Sequence, residues 1–287
     1  MINHYKRRDV FSCSQDAHRE FNGRVSVYHV LKEKQCYPQG CLYFLWHCVL
    51  LEKGRKCIKG YSWAGRNCGG CMHFAEEKIH LQPSLMLDEA AYEAFLDDLE
   101  TFEIWLESIT YKRLSVAGTV SAVKPWVERI VSHEGDHLRL LGYLLIFQNG
   151  FIGTTRFEDS FYIRVTRSQM RSAAFRSGMR IECSGEIRLD RGRVVIHRPK
   201  QIEVEGPGHG DTWSDAEALV AARTAAFMTS QPEKCLECPW GVLADAVDKR
   251  ERPPLRFRNL YCLTGISHPD GCPERVGEIL RKASLSR

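Results

Sequence analysis

The sequence predicts an α+β protein in which a small, partly open five-stranded β-barrel is flanked by cysteine-rich modules and amphipathic helices. Three observations carry this. From about residue 111 to 206 the chain is rich in β-branched residues, punctuated by glycine and poor in cysteine. An amphipathic helical pattern precedes that segment and a second helix follows it. Most of the twelve cysteines lie outside it, towards the two ends of the chain.

The first helix spans Asp88 to Ser108. Tyr92, Phe95, Leu99, Phe102, Leu106 and Ile109 recur at helical spacing, and Asp97, Asp98, Glu100, Glu103 and Glu107 fall on other faces. Five strands are expected at Leu114–Val123, Leu138–Gln148, Phe161–Thr166, Met179–Leu189 and Val194–Val204, with a short helix from about Ser168 to Arg176 after the third. Gly206-Pro-Gly-His-Gly210 reads as a linker. Ser214-Asp-Ala-Glu217 is a capping box for an alanine-rich helix running to about Thr229, which Pro232 ends. The expected domains are a cysteine-rich module over 1–110 that closes with the first helix, the barrel over 111–206, and a helical module over 207–287 with its own cysteines.

Five strands with a helix after the third is the order of an OB-fold. Val116-Ala-Gly-Thr-Val120 resembles the glycine-marked first strand of many OB domains. Gly178-Met-Arg-Ile-Glu-Cys-Ser-Gly185 is similar to their fourth-strand entry, with glycines at the bends, and Arg198-Pro-Lys-Gln-Ile-Glu-Val204 resembles the closing strand. The resemblance covers about a third of the chain and implies an OB-type barrel, a fold that often binds single-stranded nucleic acid.

A length of 287 residues accommodates two or three small domains, and 44% hydrophobic with 26% charged residues is ordinary for a soluble globular protein. A net charge of +4 excludes a uniformly basic nucleic-acid binder but leaves room for a local basic face. The polar start has no apolar segment behind it, so no signal peptide is expected. The longest apolar run, Cys41 to Leu51, is short of the roughly 20 residues of a membrane span and reads as a buried strand or helix. A cytoplasmic protein without membrane contact is expected. Its thiols would stay reduced, which makes metal binding the leading account of twelve cysteines.

The C-terminal set is Cys235-Leu-Glu-Cys238, Cys262 and Cys272. Two thiolates three residues apart can converge on one ion or cluster, and two more complete four-fold coordination. The wide second spacing is loose for a zinc knuckle. Pro239 and Pro273 follow Cys238 and Cys272 as in bacterial ferredoxin runs, and Trp240, Tyr261 and Leu263 offer an apolar surround. A 4Fe–4S iron–sulfur cluster is therefore expected here, with zinc as the alternative. The N-terminal set has Cys68-Gly-Gly-Cys71 as its sharpest step, Cys57 as third ligand, and Cys36 or Cys41 as fourth, for iron–sulfur or zinc. Cys13, Cys48 and Cys183 read as buried small hydrophobes.

In the third strand, Phe161, Ile163 and Val165 read as core, and Tyr162, Arg164 and Thr166 as an exposed aromatic–cationic face. The loop between strands one and two offers Lys124, Trp126 and Arg129, and Arg191 and Arg193 flank the turn between strands four and five. Cations for phosphate and flat rings for bases are what a single-strand site needs. Single-stranded DNA or RNA is therefore the expected partner, with a protein partner as an alternative use of the same surface. An iron–sulfur electron carrier and a zinc-stabilised protein-interaction subunit are the other functions these features allow. No Walker loop, dinucleotide fingerprint, G-x-S-x-G elbow or H-E-x-x-H occurs, so no enzyme class is indicated. Asp245 and Asp248, three apart, could share a helix face and read as surface charges.

Overall fold

The computed structural model describes residues 1–16, 18, 23–210, 212–228, 233–250 and 253–272. The chain forms two compact units, one of Arg8–Asp88 and one of Met1–Arg7 with the chain from Glu89 onward.

In the smaller unit, β1 (Phe11–Ser12) pairs antiparallel with β2 (Arg24–Val25) and with a later strand, β5 (Ser84–Leu85). Val10, Phe11, Val25, Val27 and Val30 are buried around this small sheet. A separate two-stranded sheet joins β3 (Cys41–Cys48) to β4 (Phe74–Leu81), and the helical turn α1 (Val49–Glu52) opens the long connection between them. The apolar run was expected to be buried. It is instead a strand whose alternate residues Leu42, Phe44 and Trp46 are exposed. Each stands opposite a polar residue of β4, namely His80, Lys78 and Glu76, and the Trp46 indole N–H donates to Glu76 at 2.7 Å. A two-stranded hairpin covers at most one of its faces, so apolar residues on both cannot all be buried.

In the larger unit, α2 (Glu89–Ile109) forms where its pattern predicts, burying Phe95, Leu99, Phe102, Leu106 and Ile109. Tyr5 meets Phe102 edge-on at 5.2 Å, and Trp105 stacks on Phe157 at 5.4 Å. The strands that follow are β6 (Arg113–Ser132), β7 (Gly135–Ile152), β8 (Thr155–Phe157), β9 (Phe161–Val165), β10 (Arg180–Asp190) and β11 (Arg193–Glu205). Helix α3 (Arg167–Ala173) lies between β9 and β10, its start closed by reciprocal bonds of Thr166 and Gln169. Strand β6 pairs with β7, β7 with β9, β9 with β11, β11 with β10, and β10 with β6. Only the β9–β11 pairing is parallel, and the succession of pairings returns to the strand on which it began. Phe147 and Phe161 stack at 4.7 Å among Val120, Leu145, Ile163, Val165 and Ile196, all buried.

The chain ends differently from expectation. Helix α4 (Asp215–Thr224) starts at the capping box but stops five residues before Thr229, which lies outside the described residues together with Pro232. After it come β12 (Ala226–Phe227), α5 (Glu233–Glu237), β13 (Gly241–Asp248) and β14 (Leu255–Cys262). The segment expected to be helical thus contributes strands. Strand β13 pairs antiparallel with β14 and parallel with β6, and all are part of one mixed nine-stranded sheet. The reason is periodicity: Val242, Ala244 and Ala246 are buried at every second position. Asp245 and Asp248 consequently face opposite sides, and each binds a different arginine, Arg258 and Arg250.

Strands β6 and β7 also run further than predicted. Val127 pairs with Leu140, Arg129 with Leu138 and Val131 with Asp136, which carries the hairpin to its tip at His133-Glu134. Lys124, Trp126 and Arg129 therefore lie on a strand and not in a loop. Among the described residues, no helix is long and apolar enough to cross a membrane.

Candidate nucleic-acid interface

The alternation along β9 is the one the residues predict: Phe161, Ile163 and Val165 point inward and Tyr162 and Arg164 outward. The outward face is half-buried, because other elements close over it. Trp126 comes from β6. The two-residue turn Arg191-Gly192, with φ of 49° and 79°, brings Asp190 and Arg193 opposite each other at the β10–β11 hairpin end. The β13–β14 hairpin adds Leu243, Asp245 and Arg258. Together with Leu144 and Val195 these residues line a small pocket of about 10 Å³. Four of the predicted residues, Trp126, Tyr162, Arg164 and Arg193, are thus brought to one place.

Cations and rings are already layered there. The Arg164 guanidinium lies 4.4 Å from the centre of the Trp126 ring, and that of Arg193 lies 5.0 Å from the Tyr162 ring. Lys6 approaches Tyr162 at 5.8 Å while its ammonium pairs with Asp159 at 3.1 Å. Asp190 accepts from Arg164 at 3.0 Å, from Arg193 at 3.2 Å and from Arg258 at 2.9 and 3.0 Å. Arg258 also donates to Asp245 at 2.7 Å.

Burial works against the charge of Asp190, but Arg193 and Arg258, with Arg164, outweigh it and hold the carboxyl below its ordinary range. For Arg258, burial is likewise outweighed, by Asp245 and Asp190, and its pKa is raised. Arg164 differs. Burial, with repulsion from Arg193 and Arg258, outweighs Asp190 and Asp245 and lowers its pKa, although it stays a cation. One carboxylate does not neutralise three guanidiniums equally, and Arg164 is left the least compensated.

The remaining predicted residues lie elsewhere. Lys124 is buried, and its ammonium donates to the backbone carbonyls of Leu236, Cys238 and Gly241 at 3.1, 2.6 and 2.8 Å. Its charge is directed at the backbone of the cysteine loop. Arg129 is held by both oxygens of Asp136, which raises its pKa. Arg191 is exposed at the hairpin turn. Asp190, Asp245 and Arg258 were not singled out from the sequence as members of this face. Arg258 sits in a block dominated by cysteines, and the signal that could have found it is the alternation of Arg256 and Arg258 with Phe257 in a strand.

All twelve cysteines are free thiols. In the smaller unit, Cys36 neighbours Cys41 and Cys13, and burial followed by the influence of those two thiols raises its pKa. Cys13 thus joins the pair between which the sequence left the fourth ligand open. Cys68 accepts the Gly65 N–H at 3.4 Å, and the N–H of Cys71 returns to the Cys68 carbonyl at 2.9 Å, so this step is a tight turn. Cys57 lies in the same β3–β4 connection, its carbonyl accepting from Gly60. Cys48, expected to be buried, is half-exposed, whereas Cys13 and Cys183 are buried. Burial, then the neighbouring Glu182, pushes the Cys183 thiol up to about 12.

In the larger unit, Cys235 and Cys238 are three residues apart at helix α5, and Cys262 pairs across the sheet with Gly241. A Cβ added to Gly241 would collide with the carbonyl of Cys235, so the cysteine loop presses directly on the hairpin backbone. Cys262 contacts the Thr264 hydroxyl at 3.0 Å, and Cys272 follows the short turn Pro269–Gly271. Pro273 lies outside the described residues. Among the described residues, no three His, Cys, Asp or Glu side chains are grouped to hold a metal ion.

No known family model and no curated protein matches this chain.

The chemical capacity of the cleft rests on its own residues. Three guanidiniums can bind oxyanions, and Trp126 and Tyr162 are flat rings of the kind that can stack with other planar groups.

Proposed function

We propose that this protein is a single-strand nucleic-acid-binding protein built on an OB-type barrel. Support for the barrel comes from the cyclic succession of five pairings, from the parallel β9–β11 pair, and from helix α3 between the third and fourth of those strands. Support for the ligand comes above all from the convergence of Trp126, Tyr162, Arg164 and Arg193 on one cleft. A single strand offers phosphates to the guanidiniums and bases to the rings, and such binding tolerates many sequences because every base has a flat face.

The test is fluorescence anisotropy with labelled single-stranded DNA and RNA over a series of salt concentrations. Affinity should fall linearly with salt on logarithmic axes. The double change Tyr162→Ala with Arg164→Ala should weaken binding about a hundredfold, from one lost stacking surface and one lost phosphate contact. Unchanged affinity in a folded double variant removes this face from consideration.

The same reading assigns Cys235, Cys238, Cys262 and Cys272 a metal, as a four-iron cluster or as zinc, that stabilises the β13–β14 hairpin. The pairing of Cys262 with Gly241 beside the Cys235 carbonyl supports it. After anaerobic purification, about four iron and four sulfide per chain are expected for a cluster, or about one zinc. A stable, folded and metal-free protein contradicts the assignment.

A further inference from the structure

We infer that Asp190 is an internal competitor for phosphate: it occupies an oxyanion site formed by Arg164, Arg193 and Arg258, and a bound phosphate group takes over its role. This rests on the proposed single-strand reading and specifies how the same cleft is regulated.

The three guanidiniums come from three different places, strand β9, the start of β11 and the middle of β14. They are far apart in sequence, yet all three point an Nη2 at the two oxygens of a single carboxylate. Elsewhere in the unit an arginine has a carboxylate to itself, as Arg129 with Asp136 and Arg250 with Asp248 do. Here the Asp190 carboxylate is shared by three cations, and among the described residues only Arg258 of the three bonds a second carboxylate, Asp245. Several guanidiniums on one anion is the arrangement a phosphate group receives in proteins that bind it. Only 9% of the Arg258 side chain and 17% of those of Arg164 and Arg193 are exposed, so the site is formed before any ligand arrives.

Asp190 does not fill the site. A carboxylate has two oxygens, and the bonds it accepts leave the Nε–H of both Arg164 and Arg193 buried without a hydrogen-bond partner among the described residues. A phosphate has more acceptor oxygens and more charge to offer to the same donors. The reduced pKa of Arg164 agrees with incomplete neutralisation. Trp126 and Tyr162 line the same pocket, so a phosphate reaching the guanidiniums would carry its base to the rings.

In this arrangement Asp190 has two opposing effects. It holds three like charges together in the free protein, and it repels the ligand they are placed to bind. Asparagine keeps its size and one acceptor oxygen while removing the charge. Asp190→Asn should therefore bind inorganic phosphate about tenfold more tightly than the unaltered protein, the discount from the full Coulomb term reflecting solvent screening at the partly exposed carboxylate. Affinity for a single-stranded oligonucleotide should rise in parallel.

The measurement is calorimetric titration of the full chain and of Asp190→Asn with inorganic phosphate, and with the oligonucleotide in a separate series. Unchanged or weaker phosphate binding in the folded variant overturns the inference. If Asp190→Asn does not fold, phosphate titration of the unaltered protein decides: the Nε–H resonances of Arg164 and Arg193 should move, and their failure to move overturns it. Tighter phosphate binding with no oligonucleotide binding by either protein upholds the arginine site and removes the single-strand reading. Oligonucleotide binding that depends on Tyr162 and Arg164 but is indifferent to Asp190→Asn has the reverse meaning.

Discussion

Replacing Lys124 with methionine should destabilise the larger unit by about 3 kcal/mol, because three backbone carbonyls lose the buried donor they share. Methionine keeps much of the apolar stem, so the loss isolates the ammonium and its bonds to Leu236, Cys238 and Gly241. Urea unfolding followed by tryptophan fluorescence measures it. The labelling rate of Cys235 and Cys238 by a thiol reagent should rise at the same time, since their loop is what the ammonium holds. The salt dependence of nucleic-acid binding should keep its slope, which separates this role from the phosphate contact that the sequence suggested. A stability change below about 0.5 kcal/mol would show that the carbonyls find water as readily as lysine.

Gly118→Val should be comparably damaging, at about 3 kcal/mol. Gly118 stands directly opposite Gly150 in the β6–β7 ladder. A Cβ there would meet the Phe147 ring at 2.9 Å and the Asn149 carbonyl at 3.1 Å. The stacked pair of Phe147 and Phe161 lies over this gap, and neither ring can retreat from a filled core. Thermal unfolding of the variant should show a clearly lowered midpoint. Gly271→Ala provides the control, because a Cβ there meets nothing within 4 Å, and its midpoint should not move.

These two positions show opposite relations between sequence and structure. Gly118 is legible in the sequence as the glycine of a strand that resembles the first strand of OB domains, and the close approach of Phe147 and Phe161 supplies the physical cause. Lys124 looked like a loop cation beside Trp126. Its real surroundings are set by residues more than a hundred positions later, and no local pattern reports a lysine that caps carbonyls from a distant loop. The same division runs through the candidate site. Tyr162 and Arg164 were legible because a strand's period of two places every second residue on one face. Asp190, Asp245 and Arg258 were not, because their role depends on how the β13–β14 hairpin joins β6. Within the C-terminal block the cysteines drew attention to ligand chemistry, and the alternating pattern of Val242, Ala244 and Ala246 was the stronger statement about fold.

By itself, the sequence determined what depends on short-range periodicity and local geometry: helix α2, the capping box at Ser214, the inward and outward faces of β9, and five of the six strands between residues 111 and 206, the short β8 being the exception. Those follow from neighbouring residues, whose spacing repeats along the chain. Only the tertiary structure decided that Lys124 belongs to the cysteine loop, that the apolar stripe of β3 is exposed, and that three arginines share Asp190. Each of these depends on which distant segments meet, and that is set by the pairing of whole strands and not by the residues beside them.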